Sequence, residues 1–192
     1  MIAKLDHFPM TPQEYFEWEE EQPVKYEYMN GEVYAMTGGT IPHNDLAVNL
    51  TTLLKNHLRG RGCKVQMADA KVGVSEQGPF YYPDVMVSCD EGDRQATRVL
   101  YHPCLIIEVL SPSSEAFDRG RKFQNYRQIA ELQEYVLVST EQRLLECFCR
   151  NAQGVWELYT YGEGDRVMLS SVGWEGSVVE VYEDVMLEGG ER

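Results

Sequence analysis

The spacing of apolar positions changes period several times along this chain, and each change marks an element. TPQEYFEWEEE, residues 11–21, opens on a Thr-Pro pair suited to a helix start and places Tyr15 and Trp18 three apart, which predicts a helix. In VKYEYMNGEVYAM, residues 24–36, aromatic or aliphatic side chains alternate with polar ones around Asn30-Gly31, a dipeptide suited to a type I′ turn. That stretch predicts a hairpin. After a Gly-Gly loop, Leu46, Leu50, Leu53, Leu54 and His57 recur at helical spacing in HNDLAVNLTTLLKNHLRGRG. Asn44 or Asp45 can cap this second helix, and Gly60 or Gly62 can close it.

Strand-like runs follow at KVQMADAKVGV (64–74), YYPDVMVSC (81–89) and CLIIEVL (104–110). Residues 117–130 return to helical spacing, and EYVLVS (134–139) reads as a buried strand. The tail from Arg143 alternates strands interrupted by NAQG and GEGD. Helix, three strands, helix, strand, with a β-rich extension at each end, is an α/β pattern. Strands that are apolar on both faces predict a mixed sheet covered on both sides. No repeat or linker interrupts the 192 residues, so one domain is expected over 1–192, with a core at about 24–140 and a β-rich extension over 141–187.

Two of the apolar strands carry an acid that the pattern does not need: Asp84 in YYPDVMVSC and Glu108 in CLIIEVL. An unpaired carboxylate there is costly, or it takes up a proton. Side chains alternate between faces, so Asp84 goes with Met86, and Glu108 with Ile106 and Leu110. On neighbouring strands the two acids would meet on one side and repel unless a cation lay between them. A hard divalent ion, Mg2+ or Mn2+, prefers oxygen ligands and is the expected cofactor; arginine pairing or a solvent-exposed strand end is the alternative.

Pro83-Asp84 followed by Glu108 in an apolar strand resembles the PD-(D/E)XK nuclease superfamily, and the element order resembles its restriction-endonuclease-like αβββαβ core. More narrowly, NGEVYAMTGGTIPHNDLAVNL, YYPDVMVSCD, LIIEVLSPSS with DRGRKFQNYRQI, and EYVLVS resemble the bacterial restriction-endonuclease-like family called Uma-two, abundant in cyanobacteria. The resemblance runs from about residue 10 to 185. It implies a metal-dependent DNA endonuclease in which Asp84 and Glu108 hold the ion. The superfamily places a lysine two positions after the acid, where this chain has Leu110. The resemblance moves that role to Lys122. Helical spacing agrees, since Lys122 falls between Tyr126 and Ile129, beside Phe123, on the apolar face. An i,i+4 pair with Asp118 and a snorkelled stem are the other readings, and Lys71 is the reserve cation. By the same resemblance Glu32 is the first acid, binding metal or holding Lys122, His43 a metal ligand, proton carrier or phosphate contact, and Tyr126 a partner behind these groups. Read from residues alone, Glu32 is an exposed hairpin acid and His43 a helix-start residue. His57 reads as core or surface, and His7 and His102 give no signal.

Composition changes this picture in two places. The formal net charge of −14 opposes a nucleic-acid partner, but the acids lie in the flanks. Residues 51–128 hold 11 basic and 9 acidic side chains, so DNA remains permitted. Five cysteines show no framework spacing. Cys147 and Cys149, on one strand face, suit core packing, and a reducing cytoplasm is expected. No apolar run approaches the ~20 residues of a membrane span, and MIAKLDHFPMTPQEYF lacks the apolar centre of a secretory signal. The resemblance also implies a homodimer. The rival function is a nuclease-like fold without turnover that binds nucleic acid or protein.

Overall fold

The computed structural model describes residues 3–4, 9–36 and 38–188. In chain order the elements begin β1 (Ala3–Lys4), α1 (Pro12–Glu19), β2 (Tyr26–Met29), β3 (Glu32–Ala35), α2 (Ile41–His57), β4 (Lys64–Met67) and β5 (Lys71–Gly73). They continue β6 (Phe80–Tyr81), β7 (Val85–Ser88), α3 (Glu91–Gln95), β8 (Val99–Leu100) and β9 (Leu105–Leu110). Next come α4 (Glu115–Phe117), a π-helical turn (Asp118–Lys122) and α5 (Phe123–Tyr126). The chain closes with β10 (Glu134–Ser139), β11 (Leu145–Arg150), β12 (Trp156–Tyr161), β13 (Arg166–Leu169), β14 (Trp174–Ser177) and α6 (Val178–Val181).

Local chemistry explains the first elements. Thr11 and Glu14 form a reciprocal capping box at α1, with Pro12 in its first turn. Asn30 and Gly31 both take positive φ (53° and 86°), as a two-residue hairpin turn between β2 and β3 requires. The second helix starts earlier than its apolar spacing indicates. Thr40, not Asn44 or Asp45, is its cap, accepting the His43 amide, and Pro42 lies in the first turn.

Two predicted strands each break in two. The run 64–74 divides at Ala68, which has φ 31°, into β4 and β5; the run 81–89 divides at Pro83, which has no N–H for a ladder, into β6 and β7. The halves join different sheets, ordered β1-β3-β2-β6-β5-β8 and β12-β11-β10-β9-β7-β4. In the second sheet β9 and β10 are parallel and their outer neighbours antiparallel, so it is mixed, as expected. Leu105, Ile107 and Val109 face a core under α2 and the C-terminal elements. Ile106 and Leu110 face Tyr126, Ile129 and Leu132 on the other side. Both faces are thus covered, and the C-terminal extension ends in the antiparallel β13–β14 hairpin. Glu134, buried at the start of β10, accepts the Ser170 and Ser171 amides and ties the turn of that hairpin to the sheet.

The predicted helix over 117–130 is shorter and irregular, with the π-helical turn at its centre. The cysteines also depart from expectation. Pairing of Lys64 with Ser88 sets Cys63 opposite Cys89, and the two form a disulfide. Strand register, which cysteine spacing alone does not reveal, makes the pair. Cys147 and Cys149 pack in the core on β11, as predicted. Among the described residues no helix is long and apolar enough to cross a membrane.

Candidate active site

Asp84 stands where the chain steps from one sheet to the other, and the register pairing Val85 with Ile107 sets it opposite Glu108. The two acids interlock through backbone. The Asp84 amide donates to Glu108 Oε2 at 3.3 Å, and the Val109 amide donates to Asp84 Oδ2 at 2.8 Å. The Val109 amide and the His43 imidazole both meet Asp84 at Oδ2. Glu108 is 3% exposed, whereas the Asp84 side chain keeps 18% of its surface. One acid therefore forms the floor and the other the wall of an opening.

Lys122 reaches the same place from the π-helical turn, a wider coil that often marks functional sites. Its Nζ lies 3.0 Å from Glu27 Oε1, 3.1 Å from Glu108 Oε1 and 3.4 Å from Asp118 Oδ1. All four groups are buried. The Tyr126 hydroxyl donates to Glu108 Oε1 at 3.0 Å. Burial pushes Glu108 well above the usual carboxylate range, and the Lys122 charge offsets this only in part. Burial likewise raises Glu27, against the pull of Lys122. For Lys122, burial acts downward, but Glu108, Glu27 and Asp118 outweigh it and hold the ammonium well above its ordinary value.

Lys122, its three carboxylates and Asp84 share a cleft of about 270 Å³ whose lining includes Gly38–Thr40 and Ser111–Ser114. His43, on the first turn of α2, closes it with Nε2 3.3 Å from Asp84 Oδ2. Gly39 packs on that imidazole so closely that a Cβ there would lie 2.8 Å from Nδ1.

The family model described as "Putative restriction endonuclease", Uma2, matches residues 12–179. The chain belongs to the Uma2 family. An uncharacterized protein of Synechocystis sp. (PCC 6803), slr1290, is 42% identical over 185 residues, covering 95% of this chain and 97% of that protein. A second from the same organism, sll1609, is 36% identical over 131 residues, 67% of this chain and 74% of its own length. The crystal structure of "a putative nuclease belonging to DUF820" from Anabaena variabilis superposes with a TM-score of 0.76 at 14% identity, over 93% of this chain and all of that one. The likeness establishes a restriction-endonuclease-like fold.

Within the Uma2 chain the predicted residues divide. Asp84, Glu108, Lys122 and His43 line one cleft. Glu32 does not; it accepts the Tyr34 hydroxyl at 2.6 Å on β3. Its place beside Lys122 is taken by Glu27. Tyr34 pairs with Glu27 and Glu32 with Met29, so the two acids share a face about 7 Å apart along the hairpin. In the sequence Glu27 is one of the alternating polar positions of the hairpin, and only the structure shows its strand, YEYM, buried throughout. Asp118, read from sequence only as a partner for Lys122, also faces the cleft. Lys71 lies elsewhere, bonded to Glu19 at 2.8 Å with its ammonium over the Tyr15 and Phe16 rings. Asp90, Asp93 and His102 gather in a third place, but Asp93 accepts the Tyr101 and His102 amides and Asp90 caps α3, which are structural duties.

Two features of the Uma2 site suit a divalent cation. Four carboxylates, Glu27, Asp84, Glu108 and Asp118, face one ammonium and one imidazole. Asp118 Oδ1 is buried and has no hydrogen-bond partner. A hard, oxygen-seeking ion satisfies both.

His43 gives a direct readout of this charge. Burial pulls its pKa down, yet the Asp84 carboxylate, with smaller help from the Val109 carbonyl and Asp118, leaves it raised. In the metal-free protein the imidazole that keeps this proton is a charge partner of Asp84. By NMR titration in EDTA, His43 is expected to titrate above the ordinary value of about 6.5, and in Asp84→Asn to fall back. A folded pKa above the unfolded one means that the pair stabilises the fold at low pH and loses that contribution as pH rises through the folded value. An unchanged titration in the variant would contradict the pairing.

Proposed function

We propose that this Uma2 chain is a Mg2+- or Mn2+-dependent endonuclease that hydrolyses phosphodiester bonds of DNA. The convergence of Asp84, Glu108 and Lys122 at the floor of one cleft carries this reading. Asp84 and Glu108 are the proposed ligands, and Asp118, whose buried Oδ1 has the Lys122 ammonium 3.4 Å away but no hydrogen bond, stands beside them. When bound there, the ion lowers the pKa of water and polarises a scissile phosphate. Glu27 and Asp118 hold Lys122 in position, and its ammonium offsets charge that builds on the phosphate. The His43 imidazolium, fixed by Asp84 at the cleft wall, contacts phosphate or passes a proton. A homodimer, presenting one site to each DNA strand, completes the proposal.

One observation favours a fold that binds without turnover. An ammonium has three donors, and here three carboxylates surround it. In that reading metal and DNA bind but no bond breaks. Supercoiled plasmid separates the two. The endonuclease is expected to nick it with Mg2+ or Mn2+, to stop in EDTA, and to be silent as Glu108→Gln. Nicking that persists in that variant would come from a contaminant and overturn the assignment. Metal binding without nicking would establish the second reading.

A further inference from the structure

A chain of net charge −14 repels a polyanion unless cations gather on one face. Among the described residues, seven lysines and arginines ion-pair with acids. Of those with no ion pair, Arg121, Arg127 and Arg150 lie elsewhere in the chain, while Lys55, Arg59, Arg61, Lys64 and Arg94 lie together, all exposed. Lys55 sits in the last turn of α2, with Arg59 one turn on and Arg61 in the loop that follows. Lys64 opens β4 and donates to the Arg94 carbonyl. From residue 46 to residue 68 the sequence has four cations and no acid. The acids of neighbouring α3 are partly engaged: Asp93 accepts the Tyr101 and His102 amides, and Asp90 caps its own helix.

These cations border a groove of about 550 Å³ between α2 and β4, lined by Lys55, Arg59 and Lys64 together with the neutral Thr51, Asn56 and Gln66. Both walls lead back to the candidate active site. Helix α2 begins beside Asp84 through His43. Strand β4 ends at Met67, paired with Val85, and the next amide, of Ala68, donates to the Asp84 carbonyl. From His43 to Lys55 the helix rises about 18 Å at ~1.5 Å per residue. That span equals about five nucleotides of one duplex strand at ~3.4 Å each.

We propose that the α2–β4 groove is a phosphate track. Lys55, Arg59 and Lys64 hold the backbone of the nucleic acid whose scissile bond lies in the cleft, about five nucleotides away. The track rests on the nuclease reading for its substrate, but binding and cleavage are tested apart. Cations and neutral donors of this kind contact phosphates and position the duplex without reading its sequence.

The test uses the full chain and a fluorescein-labelled duplex of about 20 base pairs in EDTA, with affinity measured by anisotropy over a range of salt. The Lys55→Gln, Arg59→Gln double variant is expected to bind at least about tenfold more weakly, and to lower the slope of log K against log salt by about 2, at ~0.9 for each phosphate no longer neutralised. Both side chains are exposed, and an unchanged circular dichroism spectrum confirms the fold. Wild type that does not bind the duplex, or a variant with the same affinity and slope, overturns the track. A trinucleotide is too short to reach from cleft to patch. Wild type and double variant are expected to hydrolyse it equally, while the variant's KM for the long duplex rises. If neither substrate is cleaved, the nuclease reading fails, and the anisotropy still decides the track.

Discussion

Replacing Asp84 by asparagine is expected to slow Mg2+-dependent plasmid nicking by about a thousandfold or more, on the order of 4 kcal/mol of transition-state stabilisation. Asparagine keeps the size of the side chain and an oxygen to accept the Val109 amide, so the 2.8 Å contact that ties β7 to β9 can persist. It removes the charge. Asp84 is the least buried acid of the group, and the Val109 amide and the His43 imidazole both meet its Oδ2. Titration calorimetry with Mn2+ is expected to show the heat of binding in wild type and its loss in Asp84→Asn, with both proteins melting cooperatively. Equal metal binding by the variant would place the ion elsewhere.

Replacing Lys122 by methionine is expected to have the second large effect, and to reach stability as well as activity. Methionine matches the stem but leaves Glu27, Glu108 and Asp118 buried together without a cation. Breaking a buried charge cluster by removing one partner costs about 3–5 kcal/mol. The sign with pH follows from which state takes up protons. In the variant the folded carboxylates bind protons more readily than they do unfolded, so acidification favours the folded state. The loss measured by urea unfolding is therefore expected to be largest near neutral pH and to shrink toward pH 5, just above ordinary carboxylate values of about 4. A pH-independent loss would mean that Lys122 contributes packing rather than charge.

Much of this architecture is legible in the sequence because it rests on local chemistry. The Asn30-Gly31 turn, the α2 apolar face and the acids interrupting two apolar strands are each determined by residues a few positions apart. What stays hidden depends on partners distant in the chain. Nothing near Ala68 or Pro83 says that a strand will leave one sheet for another, although that step puts Asp84 at the opening. Strand register pairs Cys63 with Cys89 across 26 positions. The choice between Glu27 and Glu32 is finer still. Both lie on one face of one hairpin, and only the position of Lys122 across the cleft distinguishes them. The π-helical turn that delivers Lys122 has no simple sequence signature, yet the apolar spacing around it places the lysine on the inward face.

The proposed track along α2 and the proposed metal site in the cleft would divide the molecule's charge into two jobs. Unpaired cations lie where a polyanion would be held, and buried acids lie where a small cation would be held. A chain of net charge −14 can handle DNA on those terms, because local potential and not the total governs contact.

The most direct test of the site is a crystal soaked in Mn2+ and measured at the manganese absorption edge. The account predicts one strong anomalous peak within bonding distance of Asp84 and Glu108 carboxylate oxygens, with Lys122 facing the same opening. A peak confined to Asp90, Asp93 and His102, or no peak between Asp84 and Glu108 at saturating Mn2+, would contradict it.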